Sequence, residues 1–262
     1  MTLERFIGRV DAPKRVLSVV NRSEPAPVQR MLETTFDEQP VTVDELDLPD
    51  EERDTVILSE VADGETRVLA TSPLAELMDA ILLVNSDIYI TGQSDLAAYE
   101  LPEVLTRLDD VPFSLRGYPE SNKEKLLLIA ISRFIERRAW DVGAGRLRTS
   151  FQRLSRIDDE RGTREVYEQI AATDVQTHIY GVPDWHPSPE FGVLSHGGHT
   201  PDYRNSWFVV YTPPEDAAET VHESATPVAL LAFETEPRRW KGYWTFQSAL
   251  VADINRYIER NM

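Results

Sequence analysis

The sequence predicts an α/β (α+β) fold of two pseudo-repeated lobes, each a mixed β-sheet flanked by helices, joined by a long helix. Three observations predict it. The segment Leu17-Ser18-Val19-Val20-Asn21-Arg22 returns as Phe151-Gln152-Arg153-Leu154-Ser155-Arg156, each a strand ending in a polar residue and an arginine. Arg5-Phe6-Ile7-Gly8-Arg9 precedes the first copy as Arg133-Phe134-Ile135-Glu136-Arg137 precedes the second. A long amphipathic stretch, 121–142, lies between the halves. Internal similarity changes the reading of a fold before any single element does. The expected division is therefore an N-terminal α/β lobe, 1–118, read as a divergent repeat, and a second lobe, 119–262. Two ordinary βαβ-type lobes sharing a pattern by chance is the rival reading.

The elements follow in order. Strands are expected at 15–20 and 41–43 around a helix at 28–36. An acidic connector broken by Pro49 covers 44–54. Strands 55–61 and 65–71 form a hairpin, because Asp63-Gly64 suits a two-residue turn. Ser72-Pro73 reads as a helix start, with Ser72 as cap and Pro73 in the first turn of a helix at 74–83. A short strand at 88–90, a helix near 102–108 and a strand at 112–116 close the first half. The helix at 121–142 carries Leu127, Leu128, Ile131, Phe134, Ile135 and Trp140 at three- and four-residue spacings. Ser121 with Glu124 fits a capping box, and Gly143 and Gly145 end the helix. Its apolar stripe reads as a central packing element, with a homodimer helix as the alternative. The second half then repeats strand, helix and strand at 147–151, 164–172 and 175–180. Strands at 207–211, 228–234 and 241–246 and a helix at 249–258 complete it, with 213–227 as an acidic loop of about fifteen residues.

Composition narrows the classes. The chain has 262 residues, a hydrophobic content of 41% and a formal net charge of −18, which describe a globular protein with an acidic surface. Of its 27 basic residues only Lys14, Lys123, Lys125 and Lys241 are lysine. This profile resembles proteins of salt-loving archaea and speaks to solvent rather than substrate. No basic stripe exists for nucleic acid, whose phosphates need clustered Lys and Arg. The absence of cysteine excludes disulfides, thiolate catalysis and cysteine metal sites. The start lacks a signal-peptide pattern, and the longest apolar run, 126–131, is far short of the roughly 20 residues that span a bilayer. A cytoplasmic protein without membrane insertion is the expectation.

Five segments in the second half resemble the DICT family of sensory domains. They are Phe151 to Arg156, Tyr180-Gly181-Val182-Pro183-Asp184-Trp185, Trp207-Phe208-Val209-Val210-Tyr211, Leu230-Leu231-Ala232-Phe233-Glu234 and Gly242-Tyr243-Trp244-Thr245-Phe246. The resemblance covers about 121–257 and rests on their order and spacing. It implies an α/β ligand- or signal-sensing module found with cyclic-dinucleotide enzymes and two-component proteins, with a link to light responses. It brings no catalytic residues. Gln247 stands where the family pattern has Asp, which affects only a helix cap.

The candidate site residues come from side-chain chemistry. Arg153, Arg156, Arg161 and Arg164 cluster around a helix start at Gly162-Thr163, where free amides and guanidinium forks suit an anion. The competing reading is ion pairing with Asp158, Asp159, Glu160 and Glu165. Aromatics with a polar handle suit a planar ligand. All five tryptophans lie in the second half, at 140, 185, 207, 240 and 244. Those on strands read first as core, whereas Trp185 falls in a loop after a strand end. The ligand-binding set is therefore Arg153, Arg156, Thr163 and Arg164 for an anionic group, with Trp185 and Trp244 for an apolar or planar one.

His196-Gly197-Gly198-His199 with His186 and Asp184 is the one arrangement with metal-ligand chemistry, but it reads as a solvated loop, so no metal and no cofactor are assigned. Neither common phosphate loop nor a Gly-x-Ser-x-Gly elbow is present. The expected function is a soluble, non-enzymatic sensory protein that binds a small-molecule ligand or a signalling protein. A metal-dependent hydrolase using His196, His199 and Asp184, or a pure interaction module, is the alternative.

Overall fold

Hydrogen bonding sorts the strands of the chain into two sheets. The computed structural model describes residues 2–10, 13–23, 30, 32–33, 36, 39–86, 96–98, 100–116, 123–159, 161–215, 223–237 and 239–262. In the smaller sheet β1 (Arg15–Val20) lies parallel to β2 (Val41–Leu46) and antiparallel to β3 (Thr55–Ala62), which pairs with β4 (Glu65–Pro73). The order is β2-β1-β3-β4. The larger sheet contains β5 (Phe113–Arg116), β6 (Ala144–Arg153), β7 (Asp174–Val182), β8 (Leu194–Gly197), β9 (Ser206–Thr212), β10 (Val228–Glu236) and β11 (Arg239–Thr245), in the order β5-β11-β10-β9-β6-β7-β8. Within it the run β7-β6-β9-β10 has the order and directions of β2-β1-β3-β4, one parallel pair followed by two antiparallel ones.

The helices are α1 (Leu74–Ser86), α2 (Glu103–Thr106), α3 (Lys123–Val142), α4 (Arg156–Asp159), α5 (Arg161–Ala171), α6 (Pro201–Asn205) and α7 (Ser248–Asn261). The mixed α/β architecture and the long joining helix match the expected class. At its end the Gly143 N–H bonds the Ala139 carbonyl at 3.0 Å. Ile131, Ile135 and Ala139, on one stripe of α3, are buried in a core cluster that also holds Leu17, Val19 and Leu58 of the smaller sheet and Leu147, Val209 and Trp244 of the larger. α3 also packs against α1, so this helix is a central packing element between the two sheets.

A second cluster fills the opposite face of the larger sheet. Phe208, Val210, Leu231 and Tyr243 meet Val251, Ile254 and Ile258 of α7 there, together with Leu3 and Phe6 of a 3-10 helix at Leu3–Arg9. The period of two along β6 divides its chemistry accordingly. Thr149 points to α3 and α5, whereas Arg148 points to α7.

Several local expectations are met. The β3–β4 turn places both Asp63 (φ 54°) and Gly64 (φ 83°) in the left-handed region, as a primed two-residue hairpin requires. Others are corrected. Ser72 is not a helix cap, because β4 continues through Pro73 and the buried Ser72 hydroxyl accepts from Val104 N instead. Residues 44–46 extend β2 rather than opening a connector. His196-Gly197 belongs to β8, held by parallel pairing with β7, rather than to a loop. Although β5 falls in the first half of the chain, its register partner is β11. Of the helix expected at 28–36, Arg30, Leu32, Glu33 and Phe36 are described, all with helical backbone. The strand expected at 88–90 lies outside the described residues.

Candidate functional site

The carboxyl ends of β6, β7 and β8 come together because these three strands run parallel. Loops at such ends are where rigid scaffolds commonly hold binding residues. The path of β6 there is irregular. Its register with β7 slips between Ser150 and Arg153, and Gln152 adopts φ 61°, uncommon for a residue with a Cβ. The Gln152 side chain secures the turn by donating to the Arg204 carbonyl at 2.7 Å. The bulge presses the chain onto Gly181, where a Cβ would lie 2.9 Å from Leu154 N and 3.0 Å from the Arg153 carbonyl carbon. Leu154 N then donates to the Val182 carbonyl at 3.1 Å.

This contact brings two segments of the sequence pattern onto one carboxylate. Asp184 accepts from the Ser155 N–H and hydroxyl, each at 3.0 Å, and pairs with Arg153 Nε at 3.2 Å. Burial pushes the Asp184 carboxyl up, but the Ser155 bonds and the Arg153 charge outweigh it and hold the group below its ordinary value. Asp184 therefore acts as an anionic clasp between the β6 and β7 loops. On α5, Arg164 pairs with Asp158 and with Glu168 at 3.0 Å, and its guanidinium lies 5.9 Å from the Phe191 ring centroid. Trp185 meets the same Phe191 edge-on at 6.4 Å.

The six candidate residues divide. Arg153, Arg164 and Trp185 surround one end of the sheet, with Arg156 at the start of α4 beside them. Arg164 pairs with Asp158, one of the partners in the competing reading, whereas Arg153 pairs with Asp184, which that reading did not name. Arg156 is half-buried and has no ion-pair partner among the described residues. Thr163 is 7% exposed, and its hydroxyl accepts from Arg133 Nη2 at 2.9 Å, which aims it inward. Trp244 is 2% exposed, packs 6.3 Å from Phe113, and lies on β11, three strands or roughly 14 Å from β6. The structure thus places it in the core, apart from the others. The side chain of Arg161 lies outside what is described.

Two clusters escaped the sequence. The first is a buried network in which Tyr167 of α5 bridges Glu136 of α3 (2.9 Å) and Thr149 of β6 (2.7 Å), while Arg133 pairs with Glu136 and reaches Thr163. The second lies on the α7 face, where His178 Nδ1 and His196 Nε2 are 2.9 Å apart and the His196 ring stacks on Tyr180 at 4.5 Å. Period-two alternation put His178 and Tyr180 on one face, but nothing in the sequence announced β8 as their neighbour. His196 therefore faces His178 rather than His199. Among the described residues no group of three or more His, Asp or Glu could hold a metal ion.

The end of the larger sheet thus carries a loop-borne charged site built on Arg153, Ser155 and Asp184. Residues 103–223 match the model of a sensory-domain family of signalling proteins. That family is DICT, the sensory domain in diguanylate cyclases and two-component systems, and the match spans a little under half of the chain. It starts at α2, earlier than the sequence segments that resemble the family, and ends before β10 and β11. No curated protein and no solved structure matches the chain. No helix among the described residues is long and apolar enough to cross a membrane.

Proposed function

We propose that the chain is a non-enzymatic sensory protein that binds an anionic small ligand, with signalling-protein recruitment as its output, at the carboxyl ends of β6 and β7. The observation that carries this reading is Arg156, a half-buried guanidinium without an ion-pair partner among the described residues, next to the Arg153–Asp184–Ser155 clasp. An unspent cation in a chain of net charge −18 is a place for an incoming anion. Arg153, exposed over 64% of its side chain, is free to swing from Asp184 to that anion. Trp185 and Phe191 supply an aromatic wall for a planar portion. Release of Asp184 loosens the joint between the two loops, which gives binding a structural consequence. The first lobe, with its matching strand order, is read as a duplicated scaffold copy.

Denaturing the purified protein and identifying released small molecules by mass spectrometry tests the reading. One compound at near-equimolar amount, lost from an Arg153→Ala/Arg156→Ala variant of unchanged thermal stability, is the expected result. An empty wild-type protein that still captures a partner through these loops would replace ligand sensing with a pure interaction role.

A further inference from the structure

The face of the larger sheet under α7 holds a concentration of positive charge that runs against the composition of the chain. From β6 come Arg146 and Arg148, from β7 His178 and Tyr180, from β8 His196, from α7 Asn255 and Glu259, and from α6 Tyr203 beside Tyr180. Arg148 is 3% exposed and fully engaged: Nε donates to Asn255 at 2.8 Å, Nη1 to the Tyr180 hydroxyl, and Nη2 to Glu259 at 3.2 Å. Arg146 is half-exposed and loosely held. Its contacts are 3.6 Å to the same Glu259 and 3.4 Å to Gln176, and its Nε has no hydrogen-bond partner. One half-exposed carboxylate on α7 thus answers two guanidiniums.

We propose that Arg146, Arg148, His178 and His196 form a second site that binds a small dianionic oxyanion, sulfate- or phosphate-like, and takes up a proton on the imidazole pair as it does so. Glu259 occupies the anion position in the free protein. One carboxylate oxygen, Oε1, meets both guanidiniums, as an oxygen of an oxyanion would, and the exposure of Glu259 leaves it able to yield. In the His178–His196 bond one ring donates and the other accepts, so one proton lies between Nδ1 and Nε2, and the surroundings of both rings disfavour a further proton in the free protein. Burial, Arg148, His196 and Arg146 together push His178 down to about 4, and burial with Arg148 lowers His196. An anion on the guanidiniums removes that repulsion and raises both imidazoles. Because linkage is reciprocal, protons then strengthen the anion, by up to about tenfold per pH unit for each proton taken up.

Isothermal titration with sodium sulfate at fixed chloride tests this, since sulfate keeps its charge from pH 7.5 to 5. Saturable one-to-one binding should tighten about tenfold or more between those values. Arg146→Gln should weaken it about tenfold at pH 5, and Glu259→Gln, which retains an amide oxygen for Arg148, should strengthen it at both. The imidazole proton signals of His178 and His196 should move on titration. Equal affinity at the two pH values, or binding that Arg146→Gln and Glu259→Gln both leave unchanged, overturns the proposal. So does binding with the imidazole signals unmoved.

Discussion

Asp109 illustrates how a single side chain carries a pH-dependent liability. Burial and the neighbouring Asp110 push its carboxyl up to about 6, against opposing pulls from Arg15 and Arg107. Between about pH 4 and 6 the folded chain therefore holds a proton that the unfolded chain has released, so stability falls as pH rises through this window. Asp109→Asn removes the charge while keeping an acceptor oxygen. It should leave stability unchanged near pH 4 and raise it by about 1–2 kcal/mol at pH 7, a range discounted for partial exposure. Urea unfolding of both proteins at the two pH values checks the sign. Equal midpoints at pH 7 would show that solvent screens the group. The sequence pattern gave 109 no role, one residue past a short helix expected near 102–108, because the neighbours that shift it include Arg15, on β1.

Between elements, the Tyr167 network joins three pieces by polar bonds inside an apolar layer. α3 contributes Glu136, α5 Tyr167 and β6 Thr149, all buried. Tyr167→Phe keeps the ring against Phe151 but withdraws the hydroxyl that donates to Glu136. A buried carboxylate that loses a donor should destabilise the fold by about 1–3 kcal/mol, with the urea dependence of unfolding unchanged because the surface exposed on unfolding is the same. No change in midpoint would mean that water replaces the hydroxyl. The elements themselves were largely legible: α3 is helical over all its described residues, Lys123–Val142, within the expected 121–142, and the Asp63-Gly64 hairpin forms where its turn residues placed it. These signals are local, in periodicity and turn chemistry. Ser72 misled because serine before proline serves a strand end as well as a helix start, and only the position of Val104 decides. β8 is four residues long with an exposed pattern, so its pairing with β7 leaves no periodic trace. The Arg153–Asp184 joint was legible as two motifs but not as one contact, since the Gly181 approach that creates it is a tertiary event.

At the scale of the molecule, the stretch that matches DICT is not a closed structural unit. Residues 103–223 include β5 through β9 but lack β10 and β11. In the sheet order β5-β11-β10-β9 those two missing strands stand between β5 and β9. Removing them leaves β5 without its register partner and turns β9 into an open apolar edge carrying Phe208, Val209 and Val210, each fully buried in the complete chain. The far face fares no better. It is covered by α7 and by the 3-10 helix at Leu3–Arg9, which clasp each other through Asp202: Leu3 N donates to one carboxylate oxygen at 2.8 Å and the Tyr257 hydroxyl to the other at 2.7 Å. The first and last described segments of the chain therefore seal the same sheet. Because one core cluster also runs from β1 and β3 through α3 to β9 and β11, neither sheet buries its apolar face alone. The isolated 103–223 fragment should consequently aggregate or give no cooperative thermal transition, whereas the full chain should unfold in one transition seen equally by tryptophan fluorescence and far-ultraviolet circular dichroism. A fragment that melts cooperatively would show the matched stretch to be autonomous. Two separated transitions in the full chain would show that α3 connects the lobes without coupling them.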